Sequence, residues 1–228
     1  HFGVGHIFLA GEAPGLFYGY VTQGIVQKED ITENGIKYIK QDGSVGYYQT
    51  VNKTTPVAGD VKYVDRNGDG VVDDNDRDII GNPNPDFTYG FQTKVSWKSL
   101  SLSASFNGVQ GRDILNVGNR YNNTPGTKSN NVTRKAFQNM WTDENPSNLY
   151  PKSTFVVQNM VMDRYVEDGS YLRCSDITLS YVLPAKWTNK IGIKNTSVYA
   201  SVKNAFVITD YSGYDPEARS DTARGGGG

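Results

Sequence analysis

A chain of 228 residues is long enough to bury a core as one β domain, and its 23 Lys plus Arg against 24 Asp plus Glu, a formal charge of -1, give no field that would draw in nucleic acid. A hydrophobic share of 37% with 25 Gly, 15 Tyr and 9 Phe describes a turn-rich β protein whose apolar surface is carried largely by rings. The single cysteine, Cys174, excludes an internal disulfide framework and any multi-cysteine metal site, and no stretch is long and apolar enough for a membrane helix.

The chain opens on HFGVGHIFLAGEAPG, without Met and without the charged head of a secretory signal, and closes on GGGG; both ends read as cuts in a longer polypeptide. A first strand is expected over about 16–25 (LFYGYVTQGI), although its glycines weaken it. A long link over about 26–85 follows, and it contains DRNGDGVVDDND, Asp65 to Asp76. Asp65, Asn67 and Asp69 put oxygens at positions 1, 3 and 5, with Gly70 at position 6, Val72 at 8 and Asp76 at 12, the spacing of a calcium loop. The Val71 carbonyl and a water held by Asp73 would complete the ligand set. The competing reading is a solvated Asn/Gly/Asp turn. An ion here would staple a loop and perform no chemistry, because nothing nearby specifies an open coordination position with a base.

The clearest strand signals come next. In DFTYGFQTKVSW, over about 86–97, Phe87, Tyr89, Phe91, Val95 and Trp97 fall on one face and Thr88, Gly90, Gln92, Lys94 and Ser96 on the other. Lys98 and Ser99 alone separate it from about 100–108, where Leu100, Leu102, Ala104 and Phe106 oppose Ser101, Ser103, Ser105 and Asn107. That is a tight hairpin. A second long link, about 109–170, holds SNNVTRKAFQNMW, which predicts one amphipathic helix with Val132, Ala136 and Met140 on a face and an Asn as its cap. Strands are then expected at about 171–183, where Ile177, Leu179, Tyr181 and Leu183 share a face, and at about 196–208, with Val198, Ala200, Val202 and Phe206.

Long and short connections strictly alternate along this order. An up-and-down sheet built that way gathers its long loops on one side and its short turns on the other, as transmembrane β-barrels do, and the strands have the ~9–11 residues that a tilted membrane strand needs. The same alternation also fits a soluble β-sandwich with one face inward. Favouring the barrel are hydroxyl rows without the charges of a watery surface, and Tyr and Trp near strand ends.

Five stretches in order, GEAPGLFYGYVTQGI, GDVKYVDRNGDGVVDDNDRDIIGNPNPDFTYGF, WTDENPSNLYP, YVEDGSYLRCSDITLSYVLP and VYASVKNAFVITDYSGYDPE, resemble the C-terminal part of the SusC/RagA family of TonB-dependent outer-membrane transporters. The resemblance runs over nearly all of the chain up to Glu217. It implies an all-β piece of a large antiparallel transmembrane barrel of about 22 strands, with long extracellular loops and short periplasmic turns. It further implies nutrient import of glycan or peptide fragments, a SusD-like surface lipoprotein as lid, TonB as the energy source, a plug domain lying outside this chain, and a final strand beyond it. An open edge in lipid would strand backbone groups at several kcal/mol each, roughly, so the missing strands are expected from the rest of the polypeptide.

Catalysis is not expected. His1 and His6 are the only histidines, which leaves a Ser or Cys nucleophile without its usual base, and Glu167 and Asp168 are sequence neighbours that diverge on a strand or sit in a turn. Tyr121, Phe137, Trp141 and Tyr150 are candidate rings for substrate in the second long link, with loop packing as the competing role, and Tyr47 and Tyr48 have the same standing in the first. The alternative to an importer is a secreted, calcium-stabilised β-sandwich that binds carbohydrate.

Overall fold

The computed structural model describes residues 5–124, 131–153, 160–193 and 196–217. These divide into two compact units, one formed by the described residues of 5–83 and 114–167, the other by those of 84–113 and 168–217.

The first unit is a set of short pieces around a shared core. Its strands are β1 (His6–Ile7), β2 (Leu16–Tyr20), β3 (Thr22–Ile25), β4 (Ile31–Thr32), β5 (Gly35–Ile39), β6 (Val45–Tyr48), β7 (Thr50–Val51), β8 (Val61–Tyr63), β9 (Val71–Val72) and β10 (Arg77–Gly81). They form small sheets ordered β1-β2-β10, β3-β8, β4-β5-β6 and β7-β9. Strand periodicity sorts the β5–β6 hairpin: Ile36, Tyr38 and Tyr48 point inward while Lys37, Ile39, Val45 and Tyr47 point out. The inward residues join Tyr20, Ile25, Val26, Val51, Tyr63, Val72, Trp141, Met160, Met162 and Tyr165 in one buried cluster.

Because many of these rings carry a hydroxyl, each buried one needs a partner. Tyr38 donates to the Asp65 carbonyl at 2.6 Å, Tyr63 donates to the Met162 sulfur at 3.7 Å, and the Tyr48 oxygen accepts the Tyr63 amide at 3.2 Å. Burial holds the Tyr38 phenol up at about 12 and pushes those of Tyr48 and Tyr63 higher still, so all three remain neutral.

The strand expected over 16–25 is corrected to two. It breaks at Val21, because the Asp163 carboxylate takes both the Thr22 amide, at 3.1 Å, and the Thr22 hydroxyl, at 2.6 Å, and draws the chain out of the β2 ladder. Leu16, Phe17 and Tyr20 are buried inside this unit, and the link that follows is not a bare loop.

The second unit is a four-stranded antiparallel sheet, ordered β11 (Phe87–Trp97), β12 (Leu100–Gln110), β15 (Tyr171–Val182) and β16 (Ser197–Thr209). Between β12 and β15 the chain forms β13 (Asp113–Leu115), α1 (Val117–Asn122), α2 (Arg134–Asn139) and β14 (Val166–Asp168), and α3 (Ala185–Thr188) lies between β15 and β16. The four long strands match the expected spans to within two residues. The α2 cap is Thr133, whose hydroxyl accepts the Ala136 amide at 3.1 Å, where an Asn was expected. Lys98 adopts φ 53° so that Lys98–Ser99 can close the β11–β12 hairpin in two residues. Register shifts at Ser105/Phe106 and Cys174/Asp176 place a bulge across β15, and Asn204, at φ 50°, lies beside the second.

The units differ in how their apolar side chains are used, and substitution separates them. Ile25→Ala, at a fully buried core position, is expected to cost about 2–4 kcal/mol through the cavity it leaves. Val202→Ala, at a 57% exposed position on β16, is expected to cost under about 1 kcal/mol. Urea unfolding of the two variants in the full-length receptor checks the contrast.

Candidate functional site

Pairing registers the two faces of the sheet residue by residue. One face carries the rows Phe91–Phe106–Cys174–Phe206, Thr93–Ala104–Ile177–Val202, Val95–Leu102–Leu179–Ala200 and Trp97–Leu100–Tyr181–Val198. Rings interlock sideways along it: Phe91 stacks on Phe106 at 4.6 Å, and Phe106 lies 6.4 Å from Phe206. Yet the face is open outward, with Phe91 53%, Val95 62% and Leu102 46% exposed. An apolar surface of this extent has lost no water, so it marks a surface made for an apolar neighbour.

The opposite face carries Gln92–Ser105–Asp176–Lys203, Lys94–Ser103–Thr178–Ser201 and Ser96–Ser101–Ser180–Tyr199. Its hydroxyls bond one another across strands. Ser96 and Ser101 lie 2.9 Å apart, Thr178 and Ser201 3.0 Å, and the Asp176 carboxylate accepts from Thr178 at 2.8 Å and Ser201 at 3.1 Å. Such a face is wettable along its whole length.

Beyond that hydroxyl ladder the sheet carries a clamp that the sequence reading missed. Arg173 is buried; it donates to Asp215 at 2.7 Å and its Nε lies 2.5 Å from Glu217, whose carboxylate also accepts the Tyr171 hydroxyl at 2.6 Å. Arg112 donates to the Pro216 carbonyl. The segment after β16 is thereby pinned to β12 and β15. The signal available was an arginine in YLRCSDITLS, inside an otherwise hydroxyl-bearing strand.

In the first unit the acidic turn is folded on its own backbone. Asp65 accepts the amides of Gly68 at 2.7 Å and Gly70 at 2.8 Å; Asp76, fully buried, accepts those of Arg66 at 2.8 Å, Asn67 at 3.2 Å and Asp73 at 2.8 Å. Asp69 accepts the Val71 amide at 2.8 Å, and the Asn67 carbonyl oxygen accepts the Asp69 amide at 2.8 Å. Burial raises the Asp65 carboxyl, aided by the charges of Asp76 and Asp69, while the two glycine amides oppose the shift. Among the described residues no group of three or more His, Cys, Asp or Glu side chains is gathered as a metal ion would require. The side chains of Asp65, Asn67, Asp69 and Asp76, expected to be ligands, all accept backbone amides.

The aromatic candidates are dispersed. Trp141 is buried, its indole N–H donating to Gln27 at 3.0 Å, and a Cβ on Gly59 would sit 2.6 Å from the ring; it takes the packing role that competed with substrate contact. Its amide donates to the carbonyl of half-buried Tyr150 at 3.0 Å, so those two are brought together by backbone. Phe137 is 61% exposed on α2. Tyr121 falls in α1, its side chain outside what is described. Tyr47 is exposed and Tyr48 buried.

Asp76→Ala removes one acceptor from three amides at once, and the turn is expected to lose about 3–5 kcal/mol of local stability. Hydrogen exchange at Arg66, Asn67 and Asp73 reads the loss, with Asn75→Ala, at an exposed side chain, as the control.

No protein-family model matches the chain. The TonB-dependent receptor P3 of Formosa agariphila is 33% identical over 213 residues, 93% of this chain and 19% of the receptor. The TonB-dependent receptor SusC of Bacteroides thetaiotaomicron is 34% identical over 165 residues, 69% of this chain and 15% of SusC. The structure of the RagAB peptide importer in its open-open state superposes with a TM-score of 0.61 at 25% identity, covering 96% of this chain and 22% of that one. The chain thus spans less than a fifth of the length of these curated relatives. The sheet aligns to part of the RagA barrel and does not close a barrel by itself. With a two-faced sheet, an acidic turn and these relatives in agreement, the chain is a portion of a TonB-dependent receptor of the SusC/RagA type.

Proposed function

We propose that this chain forms the C-terminal part of the barrel wall in an importer of glycan or peptide fragments across the outer membrane, a barrel of about 22 strands completed by the rest of the polypeptide. TonB-dependent receptors are outer-membrane β-barrels that transport and do not catalyse. The observation that carries the reading is the sheet itself: rings and aliphatics open on one face, bonded hydroxyls on the other. The apolar face is where hydrocarbon would lie, and the hydroxyl face would line a watery interior. On this reading the Lys98–Ser99 turn and the 183–196 connection are periplasmic, and the opposite end of the sheet is extracellular. The likeness to the RagAB peptide importer supports a peptide cargo and a RagB-like, that is SusD-like, partner. A secreted carbohydrate-binding sandwich would instead need Phe91, Leu102 and Val202 buried in a core, and they stand open.

Calcium at Asp65, Asn67, Asp69, the Val71 carbonyl and Asp76 belongs to the proposal on ligand spacing alone; both Asp65 oxygens, Asp69 Oδ1 and Asp76 Oδ2 each accept a single backbone amide and keep a second lone pair. Millimolar calcium is expected to slow exchange of the Gly68 and Gly70 amides in the full-length receptor; unchanged exchange removes calcium from the account.

Charge placed on either face tests the membrane reading. Leu102→Arg puts a guanidinium where hydrocarbon is proposed, at a cost of about 2–4 kcal/mol near the midplane, and is expected to lower the amount of assembled receptor in outer-membrane fractions severalfold. Ser103→Arg, one residue along on the hydroxyl face, is expected to assemble normally and to alter uptake of labelled oligopeptides. Equal assembly of the two variants would overturn the proposal.

A further inference from the structure

The end of the sheet that carries the short turns is cationic. From Phe87 to Arg112 and from Ile177 to Thr209 the sequence contains no Asp or Glu. At the short-turn end stand Lys98, in the hairpin turn, and Lys186 and Lys190, one helical turn apart across α3 and the 3-10 turn Asn189–Ile191. All three have side chains compatible with reaching outward: Lys186 and Lys190 are exposed, and the Lys98 ammonium lies 4.7 Å from the centroid of the Trp97 ring. The Val182 amide donates to the Ser99 carbonyl at 2.8 Å, so the two turns are tied together at one end of the sheet.

The same end closes the apolar face with the row Trp97–Leu100–Tyr181–Val198, and Trp187 is 64% exposed on α3. Aromatic rings with a polar edge settle at the boundary between hydrocarbon and headgroups, and lysines just beyond such a ring reach the headgroup phosphates with their stems still on apolar surface. Three ammonium groups with no carboxylate among them have no partner within this part of the sequence. Among the described residues no carboxylate forms an ion pair with Lys98, Lys186 or Lys190, which leaves their charge open to an anionic ligand.

We propose that this end of the sheet is a docking surface for anionic phospholipid headgroups, with Lys98, Lys186 and Lys190 as phosphate contacts and Trp97 and Trp187 as interfacial anchors. The inference rests on the membrane-wall reading above and goes beyond it in assigning a headgroup charge. The occupant follows from complementarity: Lys98 lies against Trp97 at the end of the apolar face and Lys186 is the sequence neighbour of exposed Trp187, and cations beside exposed rings fit a molecule that is anionic at one end and hydrocarbon at the other. A soluble anion would use the lysines and leave the aromatic row unexplained.

The test uses the full-length receptor and native mass spectrometry of retained lipid, after titration with phosphatidylglycerol or phosphatidylethanolamine of matched chains. Each lysine near an anionic headgroup contributes about fivefold in association, so the wild type is expected to retain phosphatidylglycerol at least about tenfold more strongly. Lys98→Gln, Lys186→Gln and Lys190→Gln combined are expected to erase the preference, the matching arginine triple to keep it, and millimolar inorganic phosphate to leave it unchanged. No preference in the wild type, a preference surviving the glutamine triple, or displacement by free phosphate would each overturn the inference. Retention of neither lipid, by a receptor that stays in solution without detergent, would instead bring down the membrane reading itself.

Discussion

Backbone pairing within a sheet whose two faces see different surroundings is the constraint on which the rest of the structure depends. Four strands of 11 to 13 residues pair along nearly their whole length. With period two, that pairing sends every second side chain to the same side. Rings and aliphatics then accumulate on one side at no cost to the ladder, and hydroxyls on the other. A one-residue slip would interchange the faces, so the sideways contacts of Phe91, Phe106 and Phe206 and the hydroxyl bonds of Thr178 and Ser201 hold the register from opposite sides. The exposed apolar area is stable only if something other than water covers it. On the proposed reading that cover is hydrocarbon, and completion of the barrel by the rest of the polypeptide leaves no backbone group unpaired.

The first unit solves a different problem. Its strands are too short to stabilise one another, so they are held by a core rich in tyrosine and by carboxylates that cap the chain where strands end. Asp163 turns the chain at Thr22, and Asp65 and Asp76 turn it within the acidic stretch. Each of these side chains replaces a missing strand partner. Tyrosine suits such a core because its ring supplies apolar area while its hydroxyl reaches a carbonyl, as Tyr38 does at Asp65. A large irregular segment can be ordered in this way without the regular layers that a sandwich would require.

The long strands were legible in the sequence because alternation over ten or more residues has one simple explanation, and the Lys98–Ser99 turn leaves room for only one hairpin. The first unit was not, because its determinants are long-range. Nothing local in LFYGYVTQGI shows that Asp163 will divide it at Val21. For Trp141 the sequence leaves substrate contact and packing both open, and the approach of Gly59 and Gln27 places the ring in the core. The acidic turn shows a limit of another kind: the spacing of oxygens that would hold an ion is also a spacing that caps the loop's own amides. The Arg173 clamp joins residues some forty apart, and nothing local in the sequence pairs Arg173 with Asp215 and Glu217.

The most direct measurement of the central claim is a nitroxide scan of β12 from Leu100 to Asn107 in the full-length receptor, reconstituted in lipid vesicles and read by the accessibility of each label to oxygen and to a water-soluble relaxation agent. Oxygen collisions should peak at 100, 102, 104 and 106, and collisions with the water-soluble agent at 101, 103, 105 and 107. If labels at 102 and 106 are shielded from both agents, as in a closed protein core, then the apolar face does not meet hydrocarbon and the account of this chain as a membrane wall is wrong.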